Sequence, residues 1–304
     1  MRVLALVPGG IERQLAVFPV LSQIQEALAA TDIAVVVDPQ VKEVYQLSKV
    51  VTEVVPYSFQ SNNSPADWAN LLGIVRDREF EAALTLADSW ASGLLLWLSG
   101  IPTRVGYAGG ANGFFLTSTI PRQGLKPGVH EFDGFLRVLK VAGEPAPLSI
   151  QVPQGDLAAV DTMRRVANLG GGYVLVYPGA TPTGETYPAA SWLPILKDFQ
   201  QRQPDLPVTL LQTPETVEVI TALRENLPNL TVVTPETIGQ TAALIAGANL
   251  LVSVQGYPLV LAAALGVYAL GLSTEPLASS TEADERLVNV VSATGQMADI
   301  TPEW

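Results

Sequence analysis

Short apolar runs alternate with helix-length segments along almost the whole chain, and the alternation starts afresh about halfway. Residues 2–7, 33–37, 51–55, 82–86 and 103–106 are brief, rich in Val, Leu and Ile, and bounded by turn residues or charges. Continuous apolar runs of this length fit strands buried on both faces. The segments between them, 12–29, 41–47, 66–76 and 89–98, have helical length and spacing. Strand and helix in turn predict a parallel sheet covered on both faces by helices.

A helix is expected over 130–141, where Phe132, Phe135, Leu136 and Leu139 fall at three- and four-residue spacings. The stretch 143–172 opens on Gly143-Glu144-Pro145-Ala146-Pro147 and closes on Gly170-Gly171-Gly172, which reads as an inter-domain linker. Beyond it the pattern repeats. Strands are expected at 173–177, 208–211, 231–233, 250–254 and 267–272, and helices at 189–201, 216–226, 238–246 and 258–265, with Gly266 as a helix stop. The chain therefore reads as two doubly wound, Rossmann-like α/β domains, 1–150 and 151–304, with a ligand cleft expected between the carboxyl ends of their strands. The polar, irregular tail from Ser273 is free to return to the first domain.

Composition removes several chemistries. The 304 residues include no cysteine and one histidine, so disulfide scaffolds, thiolate nucleophiles and zinc sites are excluded and no metal is expected. No G-x-S-x-G elbow occurs, which leaves a Ser-His-Asp triad without its frame. The net charge of −12 argues against nucleic acid as a partner. The acid is uneven: residues 1–152 carry eleven basic and fourteen acidic side chains, the remainder six and fifteen. No secretory leader is read at Met1. Residues 237–274 carry no charge, but glycines and Pro258 divide them into pieces shorter than the ~20 residues a membrane-spanning helix needs. No transmembrane segment is expected.

Three loops at strand ends carry the candidate chemistry. In Pro8-Gly9-Gly10-Ile11-Glu12-Arg13, glycines allow close backbone approach, Glu12 has the chemistry of a base and Arg13 that of an anion clamp; helix-start electrostatics accounts for the same residues without function. In the loop 178–188, Gly179, Thr181 and Thr183 offer small groups and hydroxyls to a phosphate or ribose, although Glu185 is an acid and a plain turn-rich connection accounts for the same residues without a ligand. Gln255-Gly256-Tyr257-Pro258 places glycine before a proline-started helix, an anion-binding arrangement of limited specificity. His130 is either a general base or a capping residue, and Asp88-Ser89 either a polar contact or a helix cap. Trp90, Trp97 and Trp192 read as core.

The ordered series of motifs resembles glycosyltransferase family 9, the lipopolysaccharide heptosyltransferases, across nearly the whole chain. The resemblance lies in Met1-Arg2-Val3-Leu4 through Phe18-Pro19-Val20-Leu21, in Gly100-Ile101-Pro102-Thr103-Arg104-Val105-Gly106-Tyr107, and in His130 with Phe135-Leu136 and Gly143. It continues in Tyr177-Pro178-Gly179-Ala180, in Tyr187-Pro188 with Trp192, and in Leu261-Ala262-Ala263-Ala264-Leu265-Gly266. The resemblance implies a GT-B-like architecture and inverting transfer of a heptose from an ADP-linked sugar to a glycan or lipid acceptor, without a cofactor. It further implies a cytoplasmic protein, with association at the cytoplasmic membrane face left open.

By the same resemblance the acceptor side would be lined by Gly9, Gly10, Asp88 and His130, and the donor side by Gly179, Thr181, Thr183, Glu185, Gln255, Gly256 and Tyr257. Three positions depart from the family pattern. Arg13 stands where the family has its aspartate base, leaving Glu12 as the nearest acid; Glu185 stands at the lysine of K-x-W-P; and Gln255-Gly256-Tyr257-Pro258-Leu259-Val260 replaces D-[ST]-G-x-x-H. Two readings follow: a divergent sugar transferase, or a non-catalytic descendant that binds a small ligand or a protein partner. A dinucleotide-dependent oxidoreductase fits the sheet pattern but lacks the glycine fingerprint.

Overall fold

The structure is a computed structural model of the chain. It describes residues 1–59, 64–109, 113–121, 133–141, 146–276 and 285–301, so His130 lies outside the described residues. The chain divides into two compact units, Met1–Ser149 and Ile150–Trp304.

The first unit contains β1 (Arg2–Val7), α1 (Ile11–Leu28), β2 (Asp32–Val37), a 3-10 helix (Pro39–Leu47), β3 (Glu53–Pro56), α2 (Pro65–Asp77), β4 (Ala82–Thr85), α3 (Trp90–Leu98), β5 (Thr103–Tyr107), β6 (Ser118–Ile120) and α4 (Asp133–Val138). The second contains α5 (Gln154–Val166), β7 (Val174–Tyr177), α6 (Ala189–Arg202), β8 (Val208–Leu211), α7 (Val217–Asn226), β9 (Thr231–Val233), α8 (Ile238–Ala246), β10 (Leu250–Val254), α9 (Tyr257–Leu265), β11 (Ala269–Ser273) and β12 (Leu287–Val291).

Among the described residues each unit has one six-stranded sheet, ordered β3-β2-β1-β4-β5-β6 in the first and β12-β11-β10-β7-β8-β9 in the second. Every pairing is parallel. Counted from β7, the second order equals the first, so the two halves share one doubly wound topology. In each, the chain leaves one central strand in one direction and its neighbour in the other. The loops after β1 and β4 therefore diverge, as do those after β7 and β10, and each divergence is a topological switch point.

The strands are apolar because both faces are covered. Val3, Leu4, Ala5, Leu6 and Val7 are all buried, as are Val174, Leu175, Val176 and Tyr177. In the second unit Trp192, fully buried, meets Tyr187 edge-on with ring centroids 5.2 Å apart. The uncharged stretch 237–274 becomes α8, β10, α9 and β11, and no helix among the described residues is long and apolar enough to cross a membrane.

Four features differ from the sequence reading. Residues 39–47 wind as a 3-10 helix. The interval 143–172, read as linker, holds the thirteen-residue α5; only Val160 of that helix is fully buried, so its periodic signal is faint. Asp156 on α5 accepts a hydrogen bond from Thr237 Oγ1, at 2.8 Å, and so ties α5 to the start of α8. The tail after Ser273 is not wholly irregular: it adds edge strand β12, then buries Met297 and Ile300 in the core of the second unit. Finally, Trp192 is core, but Trp90 and Trp97 are 57% and 52% exposed. α3 is apolar on all sides while only Ser92, Gly93, Leu95 and Leu96 face inward, so its sequence has no polar face to reveal which side is out.

Candidate functional site

Among the described residues, the candidates of each unit lie at its own switch point; His130 lies outside them. In the first, β1 exits through Pro8-Gly9-Gly10 into α1, and β4 exits through Asp88 into α3. Gly9 has φ +112° and a Cβ there would meet the Arg13 side chain at 2.9 Å, so the turn requires glycine and lays the Arg13 stem across it. Gly10 is the N-cap of α1 and supplies no side chain; Glu12 and Arg13 follow in its first turn, both half-buried.

The loop is braced from beneath. Gln14, fully buried, donates through Nε2 to the carbonyls of Val7 (3.2 Å) and Gly9 (2.9 Å), and its Oε1 accepts from Tyr45 Oη at 2.8 Å. Burial pushes the Tyr45 hydroxyl far up, so it remains a donor at every ordinary pH. Asp38, after β2, accepts the N–H of Phe59 at 3.0 Å and of Gly9 at 3.4 Å, linking the exits of three neighbouring strands. Ser89 Oγ accepts the Ala91 N–H at 3.2 Å and caps α3, which settles the role of that hydroxyl.

In the second unit, β7 exits through the loop 178–188 and β10 through Gln255-Gly256 into α9. Thr181, buried, organises the first loop. Its hydroxyl accepts the Glu185 N–H at 3.0 Å and lies 2.8 Å from Thr183 Oγ1, while Ala180 and Thr186 pair as an antiparallel bridge. The hydroxyl is thus taken up within the loop. Glu185 accepts the N–H of Met297 at 3.3 Å, and Tyr187 Oη donates to the Ile300 carbonyl at 2.9 Å. These two contacts fasten residues 297–300 to the loop after β7, so Glu185 has a positional role. Gln255 and Tyr257 are half-buried and Gly256 is buried. Gly256 caps α9 without a side chain, and Pro258 occupies its first turn.

Sequence reasoning singled out Tyr257 but missed its partner Tyr177 at this edge. Tyr177, the last residue of β7, folds its ring over the following turn: a Cβ on Gly179 would lie 2.2 Å from Tyr177 Cε1. Tyr257 stands edge-on to it with centroids 5.9 Å apart, and Tyr177 Oη donates to Glu215 Oε2 at 3.3 Å, from the loop after β8. Burial pushes Tyr257 up to about 12, reinforced by the Glu215 charge and opposed by its bond with Tyr177. Burial, with the neighbouring Tyr257 and Glu215, raises Tyr177 as well. Both phenols are therefore neutral donors near pH 7. Their common edge follows from strand order β10-β7-β8, which joins residues 38 and 80 positions apart. No group of metal-binding side chains occurs among the described residues.

Comparison with known proteins gives these edges a context. The profile of glycosyltransferase family 9 (heptosyltransferase) matches residues 68–300. Among curated proteins no sequence matches significantly. Of solved structures, a glycosyl transferase family 9 protein from Veillonella parvula superimposes with a TM-score of 0.79 at 14% identity, covering 96% of this chain and 86% of that one. The ADP-heptose lps heptosyltransferase II of E. coli gives 0.79 at 18%, covering 99% and 95%. The E. coli heptosyltransferase WaaC with ADP-2-deoxy-2-fluoro heptose gives 0.74 at 18%, covering 99% and 96%. At these identities the superpositions establish a GT-B-like fold, and the profile match establishes the family. The chain belongs to glycosyltransferase family 9, the heptosyltransferase family.

Proposed function

We propose that the protein transfers a sugar, by resemblance a heptose, from an ADP-linked donor to an acceptor hydroxyl with inversion, the donor lying at the β7/β10 edge and the acceptor at the β1/β4 edge. The reading draws on one observation above all: in a family whose members use nucleotide-sugar donors, α9 begins at an uncapped glycine beside the β7 loop. Backbone N–H groups at such a start attract a diphosphate without lysine. That arrangement compensates for Glu185, whose carboxylate is engaged by the Met297 N–H.

In this reading Glu12 takes the proton of the acceptor hydroxyl as its oxygen bonds to the anomeric carbon of the donor. The anomeric carbon–oxygen bond to the diphosphate breaks on the opposite face, and the nucleoside diphosphate leaves with the electron pair. Arg13, permanently protonated, serves charge balance and not proton transfer. A donor made in the cytoplasm would put the reaction there, with a glycan or lipid acceptor.

Calorimetric titration with ADP, UDP and their sugars tests the donor assignment, with ADP-sugars expected to bind at micromolar to millimolar concentration. Absence of binding at millimolar ligand refutes it. Glu12→Gln is expected to abolish transfer while donor affinity stays unchanged; a fully active variant removes Glu12 as the base. A wild-type protein that binds ADP-sugar and transfers to no hydroxyl acceptor is the outcome that would make it a binding descendant.

A further inference from the structure

β12 ends the sheet of the second unit: β11 pairs with it on one side, and no strand among the described residues lies on the other. The Ala269 N–H donates to the Arg286 carbonyl, and the Ser292 N–H to the Ser273 carbonyl, each at 2.9 Å. Alternate residues of a strand turn their backbone groups to the same side. Arg286, Val288, Val290 and Ser292 therefore face β11, while Leu287, Asn289 and Val291 aim their N–H and C=O groups at the free edge. After β12 the chain runs inward, where Met297 and Ile300 join the core and bond with Glu185 and Tyr187 beyond β7, so residues 297–300 lie away from that edge.

Open edges are normally guarded by Lys, Pro or a bulge. Leu287-Val288-Asn289-Val290-Val291 carries no charge and no proline, pairs with β11 residue for residue, and leaves Val288 58% and Val291 39% exposed. Such an edge accepts another strand, and its own pattern matches a second copy of itself. An antiparallel copy centred on Asn289 sets that residue opposite itself and Leu287 opposite Val291, so each outward N–H meets an outward C=O. On one face Val288 then stands against Val290 of the copy, and on the other Val291 stands against its Leu287, so both exposed valines gain apolar cover. The flanking charges are compatible: Glu285 falls opposite Ala293 and Arg286 opposite Ser292, with Arg286 about 20 Å from its own counterpart. Asn289 Oδ1 accepts from Ser273 Oγ at 3.1 Å, so its side chain leans toward β11 and leaves the two-fold axis to the backbone.

We infer that two copies of this protein pair through β12 as an antiparallel, two-fold dimer that joins their second-unit sheets into one. Using the same edge twice closes the assembly at two copies. Five residues of pairing bury less than the ~1,200 Å² of a stable interface, and the acidic second half repels its copy, so the dimer is weak and concentration-dependent. The pairing does not rest on the transferase reading.

Sedimentation equilibrium at protein concentrations up to about 500 µM tests it, with a dimer Kd of about 20–300 µM expected. Val288→Lys places a charge on the pairing face and is expected to weaken association at least about tenfold, with thermal stability unchanged because that side chain is already exposed. Asn289→Pro removes an N–H that faces the free edge and is expected to act in the same direction. Because the chain has no cysteine, a single Asn289→Cys substitution reports the register. Paired residues at the axis lie about 5.5 Å apart at Cα, within disulfide reach, whereas Leu287→Cys holds its two copies about 13 Å apart. Mild oxidation is expected to cross-link the first variant and not the second. A monomer at every concentration, a dimer indifferent to both Val288→Lys and Asn289→Pro, equal cross-linking at the two positions, or growth beyond the dimer would each overturn the inference.

Discussion

Removing the Tyr45 hydroxyl tests whether the β1 loop is held by its buried brace. Tyr45→Phe preserves the ring, which packs against Phe18 with centroids 5.3 Å apart, but deprives Gln14 Oε1 of its 2.8 Å donor. Gln14 is fully buried, so water does not replace the lost partner, and an orphaned buried acceptor costs about 1–3 kcal/mol. Gln14→Leu removes two donors to the Val7 and Gly9 carbonyls as well, at roughly 3 kcal/mol. Once Gln14 is absent, the Tyr45 hydroxyl is itself the orphan, and its removal should be neutral or favourable. The double variant is therefore expected to be less destabilised than the sum of the singles by about 1–2 kcal/mol. Urea unfolding of the four proteins measures the cycle, with amide exchange at Gly9 and Gly10 reporting whether loosening is local. A Tyr45→Phe protein within ~0.3 kcal/mol of wild type, or strictly additive effects, would refute the brace.

Gly179→Ala forces a methyl group into the Tyr177 ring and should cost about 1–3 kcal/mol, reduced when Tyr177 is replaced by Leu in the same chain; thermal unfolding of both proteins checks this. Glu185→Lys removes the acceptor for the Met297 N–H, and hydrogen exchange should become faster at residues 297–300 with little change in β7. Stability should also fall in alkali. Burial raises the folded pKa of Tyr173, against the opposing Arg164 charge, to about 12, and that of Tyr257 to about 12. Raised folded values mean that this contribution is complete below the unfolded value of about 10 and disappears as pH climbs through about 12. Urea midpoints from pH 8 to 12 should be flat and then drop above about 10, less steeply in Tyr173→Phe. Ser64→Ala removes the side-chain arm of the α2 capping box, leaving the residue 64 N–H to Asp67, and should cost about 1 kcal/mol by denaturant unfolding.

The two-domain α/β plan was legible because a strand covered on both faces must be apolar throughout, and β1 or β10 meets that condition without help from context. Elements with little burial were not. α5 has one fully buried residue, and β12 lies at the sheet edge with Val288 58% exposed, so neither imposed a strong pattern. Glu12, Arg13, Gly179 and Gly256 could be singled out because turns between strand and helix are written in glycine and proline. Tyr177 and Glu215 could not, because their partners lie tens of residues away and meet only through sheet order.

By itself the sequence determined the architecture, the strand-end loops and the resemblance to a sugar-transferase family, since burial on two faces and tight turns are local demands on residue type. Tertiary structure decided what those loops do. It turned Thr181 inward, gave Glu185 a backbone N–H to hold, and set Tyr177 across Gly179. It also left Trp90 facing outward, although an all-apolar helix looks like core from any side. Hydrogen-bond partners and exposure depend on distances between segments far apart in the chain, and only the folded sheet order fixes those distances.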